Sequence, residues 1–124
     1  MNLFDYFDES TEFFTAEQCY IIEMHNNKND DACSIARARV APGVTTTRHK
    51  LVNIIERYVI ISGMAEVQLD GQASIKVGPW DVVNIPANIT QQITNIGQED
   101  LLFLCICTPR FQQQQYVDLS GDII

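Results

Sequence analysis

Apolar and polar residues alternate with a period of two through most of this chain, and short turn signals interrupt the pattern at close intervals. Alternation of that kind puts successive side chains on opposite faces of a strand, one face toward a core and one toward water. It predicts strands over residues 18–24, 34–41, 45–51, 55–61, 65–69, 73–77, 81–85, 91–95 and 101–108. The breaks fall at Pro42-Gly43, Ser62-Gly63, Asp70-Gly71, Gly78-Pro79, Pro86 to Asn88 and Asn95 with Gly97, residues that favour tight turns. No stretch carries an apolar stripe at the helical period. Many short strands with Gly and Pro turns predict an all-β sandwich or barrel. Residues 101–108 are apolar on both faces. That strand belongs at the centre of a sheet or beneath a subunit contact.

The two ends depart from the pattern. Residues 1–16 set Asp5, Asp8, Glu9 and Glu12 among Phe4, Tyr6, Phe7, Phe13 and Phe14. So many aromatic residues are rarely left in water, so this acidic, aromatic arm is expected to pack on the barrel or on a second subunit. Residues 17–111 hold the strands and form the expected barrel. Residues 112–124 open with four glutamines and read as a surface extension carrying little chemistry.

Composition narrows the function. The chain has 124 residues and 46% hydrophobic content, enough for one domain with a sizeable core. Its formal net charge of −8 argues against nucleic acid, whose phosphates need clustered Lys and Arg, and against anionic membranes. No apolar run approaches a membrane span and no signal peptide is visible, so a cytoplasmic location is expected. Cys19, Cys33, Cys105 and Cys107 form no CxxC pair and read as reduced core thiols.

Strand alternation also nominates a site. In 45–51 the charged Arg48 and Lys50 suit solvent, which turns His49 inward. In 55–61 Glu56, Tyr58 and Ile60 share one face and Arg57, Val59 and Ile61 the other; periodicity leaves open which is inside. Gln91 alternates with Ile89 and Ile93, a polar group on an apolar face. Buried without a partner it costs about 1–3 kcal/mol, so it implies a partner, a water or a ligand. Arg37 and Arg39 share a face and either reach the cavity or pair with the acidic arm. His25 falls in a turn-prone segment and reads as an exposed bystander.

The run Gly43, five residues, His49-x-Leu51, four residues, Glu56, six residues, Gly63 resembles the first cupin motif. The stretch GPWDVVNIPANITQQITN resembles the second, with Pro86 and Asn95 in their places. The segments ERYVIISG and LLFLCICTPRF are similar to small single-domain bacterial cupins of the type-2 family. The resemblance spans residues 34–108. It implies a double-stranded β-helix, that is, a jelly-roll barrel, and a homodimer. It assigns His49, Glu56 and Gln91 to a metal position, with Mn²⁺, Fe²⁺, Ni²⁺ or Zn²⁺ weakly held or absent. The reason for weakness is chemical: Leu51 stands where a second His belongs and Gln91 where a third does. Trp80 and Asn88 replace two glycines. Because Trp disfavours positive φ, the turn at Gly78 to Asp81 is expected to be type I.

Two functional classes follow. One is an isomerase-, epimerase- or oxygenase-like enzyme on a small polar metabolite, with His49 and Glu56 as acid and base and Tyr58, Gln91 and Arg39 holding substrate. The other is a binding or sensing module with a vestigial metal site.

Overall fold

A computed structural model describes residues 2–121. Its strands are β1 (Phe13–Phe14), β2 (Tyr20–His25), β3 (Ser34–Val40), β4 (His49–Leu51), β5 (Ile55–Ser62), β6 (Ala65–Leu69), β7 (Ile75–Val77), β8 (Val82–Ile85), β9 (Gln91–Asn95), β10 (Leu101–Thr108) and β11 (Tyr116–Asp118). Every pairing is antiparallel. One sheet runs β1-β2-β3-β10-β5-β8 and the other β11-β4-β9-β6-β7. Two facing antiparallel sheets make the expected all-β jelly roll. Among the described residues no helix is long and apolar enough to cross a membrane.

Alternation places the core. Ala38 and Val40 of β3, Tyr58 and Ile60 of β5, Val67 of β6, Ile93 of β9 and Leu101 and Phe103 of β10 interlock in one buried cluster. At about 25 cal/mol per Å² of apolar surface removed from water, this cluster is the main force closing the two sheets. The doubly apolar β10 lies between β3 and β5, at the centre of its sheet. In β5 the buried face carries Glu56, Tyr58 and Ile60, which answers the question periodicity left open. Gly63 ends β5 at φ +98°, and a Cβ there would lie 3.1 Å from the Leu101 Cα. Only glycine meets both conditions.

The structure corrects several expectations. The turn before β8 puts Trp80 at φ +72°. The Asp81 N–H donates to the Gly78 carbonyl at 3.0 Å, and the Asp81 carboxylate accepts from the Gly78 N–H at 2.8 Å. This reciprocal pair holds the backbone left-handed despite the side chain, which lies out in solvent. Asn88 takes φ +69°, as its short polar side chain allows.

The described part of the expected surface extension, residues 112–121, includes a strand. Tyr116, Val117 and Asp118 pair with Leu51, Lys50 and His49, so β11 closes the edge of the second sheet. The N-terminal arm lies along the outside of the first sheet. Its β1 pairs with β2, and a 3-10 turn (Glu9–Thr11) packs against β2 as well.

His25 is no bystander. Its Nδ1 and Nε2 each lie 2.7 Å from a carboxylate oxygen, of Asp5 and Asp30. Arg37 and Arg39 point away from the core and bind Glu12 of the arm at 2.8 and 2.7 Å; Arg39 also binds Asp100 at 3.1 Å. Arg39, expected to hold substrate, is therefore engaged on the outer face.

Candidate functional site

One end of the barrel encloses a cavity of about 370 Å³ between the two sheets, within the range of small-molecule sites. Strand β4 brings His49 and Leu51 to it, and β5 brings Glu56. Strand β10 adds Cys105 and Cys107 from one face, as their spacing requires. The residues just after β1 contribute Thr15, Ala16 and Glu17, while the chain end contributes Gln113 and Tyr116. Phe111 also lines it, with its N–H bonded to the Ser34 hydroxyl at 2.8 Å.

His49 is 3% exposed and held from three sides. Its Nδ1 lies 2.7 Å from the Thr47 carbonyl oxygen. A carbonyl only accepts, so Nδ1 carries the hydrogen and Nε2 is the nitrogen free to exchange a proton. Nε2 stands 3.7 Å from Oε1 of Glu17. The Tyr116 ring stacks on the imidazole with centroids 4.8 Å apart and planes 21° apart.

Glu56 sits deeper, 7% exposed. Burial, and then the neighbouring charge of Glu17, push its carboxyl up to about 8; Gln91 and the two thiols draw it back only in part. The group is thus protonated at neutral pH. Its Oε2 receives the Cys107 thiol at 3.7 Å, while Oε1 has no hydrogen-bond partner among the described residues. Burial raises the Glu17 carboxyl too, and His49 opposes that rise. Burial also raises the Cys105 and Cys107 thiols, which stay neutral and are poor nucleophiles.

Gln91 and Tyr58 form a second layer behind these groups. The Tyr58 hydroxyl donates to Gln91 Oε1, and burial followed by the Glu56 charge holds the phenol well above its ordinary range. Neither residue lines the cavity. Gln91 lies opposite His49 across the β4–β9 pair.

The donors expected to hold a metal do not fit a divalent cation. The Gln91 oxygen is engaged by Tyr58, and the Leu51 position is hydrocarbon. Among the described residues no group of three or more His, Cys, Asp or Glu side chains is arranged to hold a metal ion.

Of the candidates read from sequence, the fold brings His49 and Glu56 to the cavity, sets Tyr58 and Gln91 behind it, and leaves Arg39 outside. Glu17, Glu23 and Tyr116 were not anticipated. The parity of Glu23 with Ile21 was a usable signal, since both line the cavity. Glu17 and Tyr116 arrive through long-range pairing that local patterning does not record.

No family model matches the chain, and no curated protein does. Solved structures do match in fold. KdgF from Halomonas sp. superposes with a TM-score of 0.78 at 15% identity, covering 92% of this chain and 99% of that one. Pac13, described as a nucleoside dehydratase, gives 0.75 at 15% identity, over 91% and 88%. A predicted oxalate decarboxylase from Thermotoga maritima gives 0.74 at 20% identity, over 84% and 98%. The chain has the cupin fold, and relatives in fold include enzymes.

Proposed function

We propose that this cupin-fold chain is an acid–base catalyst acting on a small metabolite, with His49 as the base and Glu56 as the acid. The observation that carries the reading is a pair of buried groups in one cavity, an imidazole whose Nε2 has no hydrogen-bond partner among the described residues and a carboxyl that burial keeps protonated. His49 has its hydrogen committed to Thr47, which leaves Nε2 available. Glu56 keeps its proton to about pH 8. A base and an acid poised in this way are what proton transfer at carbon needs.

In the proposed reaction, Nε2 removes a proton from carbon beside a carbonyl or imine. The Glu17 carboxylate stabilises the imidazolium that forms. Glu56 then protonates the enolate oxygen, giving an enol. In isomerisation a proton returns from Nε2 to the former carbonyl carbon while the neighbouring hydroxyl gives its proton back to Glu56; in epimerisation a proton returns to the original carbon on its other face and the enol oxygen gives its proton back to Glu56. In dehydration Glu56 instead protonates a departing β-hydroxyl, which leaves as water, and Nε2 and Glu56 are reset by exchange with solvent. Tyr58 and Gln91, bonded to each other, form the layer behind the cavity and are positioning residues. No step uses a metal. That the dehydratase Pac13 shares the fold supports the class of reaction by analogy only.

The lining limits the substrate. Among the described residues neither Lys nor Arg borders the cavity, so a phosphate or carboxylate finds no counter-ion. A second reading, ligand binding without turnover, is favoured by the extent of hydrocarbon contributed by Ile21, Ala36, Leu51 and Phe111.

The two are separated by incubating uncharged and amine-bearing hydroxyketones with the protein in deuterium oxide and following loss of the carbon-bound proton by NMR. Exchange that His49→Gln abolishes, with Lys76→Gln as an unaffected surface control, is the expected result. Binding without exchange in the native chain would establish the binding module.

A further inference from the structure

The cavity is acidic and aromatic at once. Carboxyl groups of Glu17, Glu23 and Glu56 border it, and so do the rings of Phe13, Phe111 and Tyr116. Arg37 and Arg39 are tied to Glu12 and Asp100 on the outside of the sheet. The remaining charge of the chain, −8 overall, adds a field that repels anions and concentrates cations.

Glu56 supplies the independent observation. It is 93% withdrawn from solvent by its 7% exposure, it lines the cavity, and Oε1 has no partner among the described residues. A buried acceptor in that state costs about 1–3 kcal/mol, and a donor carried in by a ligand recovers it. A quaternary ammonium has no N–H to give. A protonated amine has up to three.

We infer that the cavity selects a small molecule bearing a protonated amine, with its N–H groups on Glu56 Oε1 and Glu17 and its hydrocarbon against the aromatic rings. This deepens the reading of the cavity as a small-molecule site and rests on it, but not on the proton-transfer step. Two forces favour the ammonium over a neutral isostere. One is hydrogen bonding of its N–H groups to the carboxyl oxygens of Glu17 and Glu56 in a medium of low polarity, and the other is its attraction to the faces of aromatic rings.

The test uses the full chain with n-butylammonium, n-butanol and n-butyrate, which share a hydrocarbon tail and differ in charge, and tetramethylammonium as the quaternary arm. Affinities come from NMR titration. Butylammonium is expected to bind at least about tenfold tighter than butanol, and butyrate to bind least. Glu56→Gln is expected to remove most of the preference for the ammonium over butanol. Glu17→Gln, nearer the surface, serves as a second variant and is expected to lower the preference in part. Equal binding of butanol, tighter binding of butyrate or tetramethylammonium, or no binding by any probe overturns the inference. Ammonium binding with no deuterium exchange on any substrate would overturn the acid–base reading alone. Exchange confined to uncharged substrates would do the reverse.

Discussion

The Nε2 atom of His49 faces Oε1 of Glu17 at 3.7 Å, although Glu17 comes from the arm side of the fold and His49 from the opposite sheet. The carboxylate therefore acts on the base through space, while Thr47 fixes the ring from behind. On uncharged substrates Glu17→Gln is expected to lower kcat by about tenfold to a hundredfold with little change in KM, and His49→Gln by about 10² to 10⁴. The kcat-against-KM split in the deuterium-exchange assay checks this. A Glu17→Gln variant that changes KM alone would reduce Glu17 to a binding contact.

Glu56 makes stability depend on pH in a defined direction. Its carboxyl is raised from an ordinary 4.5 to about 8 in the fold. Between those values the folded chain holds a proton that the unfolded chain has lost. Stability therefore falls as pH rises from about 4.5 to about 8 and levels off above. Glu56→Gln is expected to flatten that slope and to be more stable than the native chain near pH 9, by roughly 2–4 kcal/mol. Urea melts at about pH 5, 7 and 9 read the effect; parallel curves for the two proteins would contradict it.

Behind the cavity, Tyr58 donates to Gln91 with both side chains buried. Tyr58→Phe keeps the packing against Phe103, whose ring centroid lies 4.6 Å away, and removes only the donor. The Gln91 oxygen is then left without its partner, at an expected cost of about 1–3 kcal/mol. A double-mutant cycle with Gln91→Leu should recover a coupling of about 1 kcal/mol or more. Additive losses would show that the pair is not linked.

These residues also show what alternation could and could not reveal. His49 and Gln91 were legible as inward groups because their neighbours are unambiguous, charged around His49 and apolar around Gln91. The face of Glu56 was not legible, since β5 carries hydrophobic residues on both sides and only burial separates them. Arg39 was ambiguous in sequence because a basic pair suits either a ligand or the acidic arm, and Glu12 decided it. Trp80 went against its own backbone preference because the Gly78–Asp81 hydrogen bonds fix the turn. Glu17 and Tyr116 lie toward opposite ends of the chain and meet at His49 only after both sheets have formed.

The arm clamp responds to pH through His25. Both ring nitrogens face carboxylates, which requires both to donate and hence an imidazolium. Hydrogen bonds to Asp30 and Asp5 raise the His25 value above its ordinary 6.5. The other charged groups close by are Glu23 on the same strand and the Arg110–Asp31 pair beside the turn. The clamp is at full strength below the ordinary value and is lost as pH rises through the raised one. His25→Asn should loosen residues 2–8 near pH 5.5 and match the native chain near about pH 9, with a stability change under about 1 kcal/mol. Amide exchange of the arm, compared between the two proteins at each pH, is the measurement. A difference that persists unchanged at high pH would rule out titration of His25 as the cause.

The arm also exposes apolar surface. Leu3, Phe4 and Tyr6 are 83%, 73% and 86% exposed. On the first sheet Leu102, Leu104 and Ile106 of β10 are also only half-buried. So many exposed apolar side chains on one short arm are uncommon on a monomer, and we propose that a second copy of the chain covers them. An interface of about 800 Å² per partner is the ordinary size for a stable pair. Sedimentation is expected to give twice the 14.0 kDa chain mass. Replacing Phe4 and Tyr6 by serine should return the chain to a monomer with the barrel still folded, because neither side chain is buried in the barrel. A native chain that sediments as a monomer at high concentration would refute the pairing.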